Sequence, residues 1–128
     1  MKLLLDTCAF LWLGVQPSKL SPAAAQAIND PGIDLHFSDA SIWEIALKYS
    51  KGKLPLPEPP RLWIPKQTKF FLIQRIKIGQ EALFRSGELP PAHQDPFDRL
   101  IAAQGLSGSF HLLSPDEPFR VHGVSCVW

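Results

Sequence analysis

Short apolar runs, each stopped by a polar residue and followed by helix-forming sequence, recur along this chain. The first is Leu3-Leu4-Leu5, closed by Asp6. It predicts a buried strand over Lys2 to Leu5 and then a short apolar helix from Ala9 to Leu13, which Gly14 and Pro17 should end. Ser21-Pro22 supplies an N-cap and a first-turn proline for a helix over Ala23 to Asn29, stopped by Pro31-Gly32. Leu35 to Ser38 reads as a second strand. Ser41-Ile42-Trp43-Glu44 then opens a helix to about Tyr49, with Gly52 placed to terminate it.

The stretch Leu54 to Pro60, LPLPEPP, can be neither regular helix nor central strand, because its prolines remove donors and fix the backbone. It predicts a rigid connector. A short helix is expected over Leu62 to Thr68, a third strand over Phe71 to Ile78 from partial alternation, and a helix over Gly79 to Ser86. Leu89-Pro90-Pro91 breaks the chain before Asp95-Pro96-Phe97-Asp98, which begins a helix running to about Leu106. Phe110 to Leu113 is the fourth strand, Ser114 to Glu117 a turn into a short helical piece, and Val124 to Val127 a final strand. Strands alternating with helices predict an α/β fold, a three-layer α/β/α sandwich around a mostly parallel sheet. The ligand crevice of such a sheet lies at the carboxyl ends of its strands.

A chain of 128 residues, 45% hydrophobic, fits one domain over residues 1–128 with one sizeable core. No apolar run reaches the length of roughly 20 residues that spans a bilayer. Asp6 also interrupts the opening apolar stretch where a signal peptide would stay unbroken. Cys8 and Cys126 both lie among apolar neighbours, and buried free thiols in a reducing cytoplasm are expected. The net charge of +1 favours no partner, but its distribution does: residues 48–77 hold eight basic side chains against the single acid Glu58. Such a segment suits a polyanion, although a solvated helical face accounts for lysines equally well.

Four carboxylates stand where an apolar run meets a helix start: Asp6, Glu44, Asp98 and Asp116. Each has a structural alternative. Asp6 can cap the first helix, Glu44 completes the box Ser41-x-x-Glu44, Asp98 stands in the same relation to Asp95, and Asp116 can offset a helix dipole. Their joint placement argues for more. Asp6 and Asp116 close apolar strands, Glu44 reaches back over the same edge, and Asp98 shares a helical face with Ile101 and Ala102. Gathered carboxylates repel one another unless a cation neutralises them, and hard ions such as Mg²⁺ or Mn²⁺ prefer oxygen ligands. His36, His93, His111 and His122 show no zinc spacing and read as surface or outer positions. Thr7 and Ser38 can orient water around an ion, Arg99 can pair with Asp95 or contact phosphate, and Ser41 can cap or touch substrate. Trp12, Trp43, Trp63 and Trp128 read as core or interface residues. No GxGxxG, GxxxxGK[ST] or GxSxG occurs, which disfavours nucleotide-cofactor, P-loop and serine-hydrolase chemistry.

The segments LLLDTCAFLWL, SDASIWEIALKYSKGKLPLP, LPPAHQDPFDRLIAAQ and LLSPDEPFRVHGVSCVW span nearly the whole chain in order. In that order they resemble the PIN-domain ribonuclease toxins of the VapC type. The resemblance implies a Mg²⁺-dependent (or Mn²⁺-dependent) endoribonuclease, the toxin of a type II toxin–antitoxin pair, cytoplasmic and homodimeric, with a small antitoxin covering the crevice. It assigns the acidic site to Asp6, Glu44, Asp98 in DPFDR, and Asp116. Asp6 and Asp98 are expected as the chief ligands, with carboxylate oxygens roughly 4 to 5 Å apart. Relatives often carry His where this chain has Cys8, and Thr-Ala where it has Ser114-Pro115; Pro115 bears on how Asp116 approaches. A structure-specific DNA nuclease using the same acids, or a catalytically silent RNA- or partner-binding module, stays open as an alternative.

Overall fold

The computed structural model describes residues Met1–Trp128. Its elements run β1 (Lys2–Leu5), α1 (Thr7–Val15), α2 (Pro22–Asn29), β2 (Asp34–Ser38), α3 (Asp39–Ser50), α4 (Pro60–Phe70), β3 (Gln74–Ile76), α5 (Gln80–Glu88), α6 (Pro96–Ser107), β4 (His111–Leu113), α7 (Glu117–Val121) and β5 (Cys126–Val127). All strand pairings are parallel, in the order β3-β2-β1-β4-β5. The α/β/α sandwich expected from the sequence is the fold.

β1 lies at the centre, and its side chains explain the layering. Leu3, Leu4 and Leu5 are all fully buried, yet successive strand residues point to opposite faces. Leu3 and Leu5 join Phe10, Ala24, Phe37, Trp63 and Ile64 beneath α1, α2 and α4. Leu4 joins Leu100, Ile101, Ala102, Leu112 and Phe119 beneath α6 and α7. One strand thus serves two cores. The first core is organised by aromatic rings, with Phe10 stacked on Phe37 at 3.7 Å between centroids and Trp63 edge-on to Phe10 at 5.6 Å. Each such ring contributes a buried area worth about 1.5 to 3 kcal/mol, with ring geometry adding to it.

Helix ends follow the sequence signals with instructive exceptions. Ser21 caps α2 and Asp95 caps α6 through their side chains, as read from the sequence. α3 differs: it starts directly from β2, and its cap is Ser38, which accepts from the Ala40 amide. Ser41 is already inside the helix, so the expected Ser41–Glu44 capping box does not form. α1 runs through Gly14 to Val15, and at Gly14 the Trp63 ring approaches the helix backbone where a Cβ would stand. β3 is shorter than its apolar run because Phe71 and Leu72 close α4 instead. There Ile73 N–H donates to the Thr68 carbonyl and Leu72 to that of Lys69, with Leu72 at φ 56°. Gly52 ends α3 by the same pair of bonds at φ 69°, where a glycine suits the left-handed backbone.

Candidate metal centre at the carboxyl edge of the sheet

The βα connections deliver the acids. β1 passes into α1 with Asp6 alone between them, and β4 reaches α7 through Ser114-Pro115-Asp116. β1 and β4 are neighbours whose outward connections diverge to opposite sides of the sheet, which is where a parallel α/β sheet opens a crevice.

Asp6 is 1% exposed. Its Oδ1 accepts from the Ala9 amide at 2.7 Å, capping α1, and its Oδ2 accepts from the Ser114 hydroxyl at 2.5 Å. Burial pushes its carboxyl up to about 7 against these two bonds, and the charges of Asp116 and Glu44 push in the same direction. Asp6 therefore both caps and belongs to an acidic cluster. Asp98, on the first turn of α6, is also raised to about 7, by burial first and then by Asp95, Glu44, Asp6 and Asp116. Its side chain does not return to the Asp95 amide; Asp95 alone caps, accepting from Phe97 and Asp98. Asp116 precedes α7 but makes no side-chain cap, and its backbone amide donates to Ser114 Oγ. Its carboxylate is left available with Pro115 in place.

Glu44 reaches the edge from α3. It is buried, pairs through Oε2 with Lys48 one turn on, and leaves Oε1 buried with no hydrogen-bond partner. Glu44 Oε1 has no donor of its own, and burial and mutual repulsion raise two neighbouring carboxyls to about 7. Both features fit a divalent cation, for which this oxygen-rich donor set is suited.

The closest ligand-bearing group is one that spacing did not reveal. His93, Asp98 and Asp116 each offer a ligand atom, and these atoms lie within 4.8 Å of one another. Asp6 and Glu44 stand outside a group of that span. His93 Nδ1 is 3.5 Å from Asp98 Oδ2, and its ring is 10% exposed. Burial lowers its pKa, opposed by Asp116 and Asp95. Of the four histidines only His93 joins these acids, while His36 and His122 are buried outside that group, not at the surface. The loop that carries His93 is set by Arg99. Its guanidinium donates to the carbonyls of Ser86, Leu89, Pro90 and His93. Arg99 thus serves the backbone and neither pairs with Asp95 nor presents to phosphate.

Other polar neighbours are similarly committed. Thr7 Oγ1 donates to Ser41 Oγ at 2.8 Å, and Ser38 Oγ donates to Gln104 Oε1 while capping α3, so both hydroxyls hold helices rather than water. Cys8 corrects the expectation of a buried thiol: Thr7, Ala9 and Phe10 take the inward positions of α1 and leave Cys8 exposed. Its thiol is nevertheless pushed up to about 12, by the desolvation its neighbours impose and then by the charges of Asp6, Asp116, Glu44 and Asp98. Among the tryptophans, Trp63 is core, whereas Trp43 is half exposed and stands edge-on to Phe97 at 4.8 Å. In the basic segment Lys48, Lys66 and Arg75 are paired with Glu44, Glu58 and Asp39. Lys51, Lys53, Arg61, Lys69 and Lys77 form no salt bridge. A groove of about 710 Å³ between α3 and α4 is lined by Ile42, Trp43, Arg61 and Ile64 but by none of the four acids, so the candidate metal centre is marked by charge rather than by depth. No helix is long and apolar enough to cross a membrane.

Comparison with known proteins bears on this arrangement at three levels. Among curated sequences, the chain is 28% identical over 120 residues to Ribonuclease VapC22 of Mycobacterium tuberculosis, covering 93% of this chain and 90% of that protein. Ribonuclease VapC16 of the same organism is 35% identical over 71 residues, about half of each chain (49% and 50%). In fold, the chain resembles a chain in the structure of VapBC2 from Rickettsia felis bound to a promoter DNA fragment. The TM-score is 0.69 at 14% identity, covering 98% of this chain and 97% of that one. A chain in the VapBC-1 structure from nontypeable Haemophilus influenzae gives 0.66 at 16% identity, covering 98% and 96%. The family model described as PIN domain matches residues 3–124, a span that contains all four acids and His93, and this chain belongs to the PIN domain family.

Proposed function

We propose that this protein is a divalent-cation-dependent endoribonuclease and the toxin half of a toxin–antitoxin pair, acting in the cytoplasm. The observation that carries the reading is the acidic edge itself: four carboxylates from β1, α3, α6 and the β4–α7 turn, two of them raised to about 7 and one with an orphaned buried oxygen. The names of the curated relatives, both ribonucleases, support the substrate class.

Asp6, Glu44, Asp98 and Asp116 would hold the ion, Mg²⁺ or Mn²⁺. When bound, such an ion neutralises the carboxylates, lowers the pKa of a coordinated water and stabilises the charge that develops on the phosphate oxygens. The remaining work falls to side chains. The Ser114 hydroxyl donates to Asp6 Oδ2 and accepts from the Asp116 backbone amide, so one side chain sets the spacing of two acids. The unpaired Lys51, Lys53, Arg61, Lys69 and Lys77 attract the RNA backbone. Trp43, exposed beside Phe97 and next in sequence to Glu44, offers a ring on which a base can stack. A cognate antitoxin and a homodimeric assembly belong to the same proposal.

The test is cleavage of RNA, single-stranded DNA and flap DNA in parallel by metal-depleted protein, with and without Mg²⁺ or Mn²⁺. RNA cleavage restored by the ion and lost in Asp6→Asn and Asp98→Asn supports the reading. Preferential cutting of DNA makes the protein a DNA nuclease with the same site. Cleavage undiminished in both variants removes the acids from catalysis.

A further inference from the structure

Resting on the reading of the acidic edge as a cation site, we propose that His93 is a direct nitrogen ligand of the ion, so that this site selects a first-row transition ion over Mg²⁺. Three observations carry it. The ligand atoms of His93, Asp98 and Asp116 lie within 4.8 Å of one another. Ligands bound at about 2.1 Å stand roughly 3.0 Å apart when adjacent and about 4.2 Å apart when opposite. The group therefore needs only a small contraction to close on an ion. Second, the imidazole is built in rather than draped over the surface. It is 10% exposed, packs on Phe119 at 4.7 Å and stacks with His122 at 5.9 Å, and its own carbonyl is tied to Arg99. Third, the protein itself partners the ring nitrogens poorly. Nε2 is buried with no partner, and Nδ1 has only Asp98 at 3.5 Å, beyond good hydrogen-bond length.

The consequence is chemical. A site made only of carboxylates suits hard ions, whereas imidazole favours Mn²⁺, Fe²⁺, Co²⁺ or Zn²⁺ over Mg²⁺, which also gives up its water reluctantly. The competing arrangement has Nδ1–H bonded to Asp98, with His93 merely orienting that carboxylate. The two differ in whether nitrogen touches the ion.

Pulsed electron paramagnetic resonance of metal-depleted protein reloaded with Mn²⁺ alone reads this directly. The expected result is nitrogen modulation from an imidazole, altered by ¹⁵N-histidine labelling and absent in His93→Gln. Calorimetric titration should show that the same variant weakens Mn²⁺ binding by at least about tenfold while changing Mg²⁺ binding far less. If His93→Gln does not fold, a protein carrying His36→Gln, His111→Gln and His122→Leu keeps the nitrogen signal. Mn²⁺ that binds, is lost in Asp98→Asn and yet shows no histidine nitrogen overturns the role of His93 and leaves the acidic site standing. Failure of wild-type protein to bind Mn²⁺ or Mg²⁺ overturns both.

Discussion

Asp6→Asn should stabilise the metal-free protein at alkaline pH while abolishing its cleavage of RNA. The side chain is 1% exposed and its carboxyl is raised from 3.8 to about 7, chiefly by burial. In the unfolded chain the same group titrates near 3.9. Between these two values the folded protein binds more protons than the unfolded one, so stability falls as pH rises. The stabilisation is fully present below about pH 4 and is lost by the time pH has passed about 7. Roughly three pH units at 1.36 kcal/mol each set a ceiling of about 4 kcal/mol. Relaxation around the developing charge brings the expected cost nearer 2 kcal/mol.

Asparagine removes that charge and keeps the geometry. Its carbonyl oxygen can still accept from the Ala9 amide, and its amide can donate to Ser114 Oγ in place of the bond now running the other way. Neutralising Asp6 also relieves Asp98, which feels its charge. Urea unfolding in chelator from pH 5 to 8.5 measures the difference between variant and wild type. A gain of about 2 kcal/mol at pH 8.5, or roughly 6 to 10 °C in Tm, should shrink steadily toward pH 5. A gain that is constant with pH, or a variant less stable than wild type at pH 8.5, refutes the buried charge as the source.

Arg99→Lys loses the fork that joins four carbonyls and should cost about 2 to 4 kcal/mol. Hydrogen exchange should then rise over residues 86–95 first, and protection equal to wild type would deny Arg99 its hold on the loop. Leu72→Gly relieves a left-handed backbone at φ 56° and should stabilise the protein by about 1 kcal/mol in thermal unfolding. At Gly14 a Cβ would lie 2.6 Å from Trp63 Cζ2 and 2.8 Å from Gln67 Oε1. Gly14→Ala should therefore cost about 1 to 3 kcal/mol and shift tryptophan fluorescence, and unchanged stability and emission would show that Trp63 yields freely.

What the sequence made legible follows from how local each signal is. Leu3-Leu4-Leu5 announces a strand buried on both faces because no solvated face interrupts it, and Asp6 marks its end. Ser21-Pro22 and Asp95-Pro96 declare helix starts through chemistry confined to a single turn. Errors arise where a partner distant in sequence decides. Gly14 reads as a helix stop, yet Trp63 packs against it and the helix continues. Ser41-x-x-Glu44 has the form of a capping box, but β2 runs into α3 without a loop, and Ser38 reaches the cap first. That shift frees Glu44 for the edge, where one of its oxygens is unpartnered.

His93 is the strongest case. It lies five residues before Asp98, a spacing that fits neither one face of a helix nor any zinc pattern, and Pro90-Pro91 beside it suggests only a break. Its position depends on a guanidinium six residues downstream that binds the loop's carbonyls. Asp6, Asp98 and Asp116 are conspicuous in the sequence because each sits where a strand or turn meets a helix, whereas Glu44 lies a turn and a half into α3. The histidine was hidden because the loop that carries it is shaped by hydrogen bonds to main-chain oxygens, which every residue possesses and no sequence pattern marks.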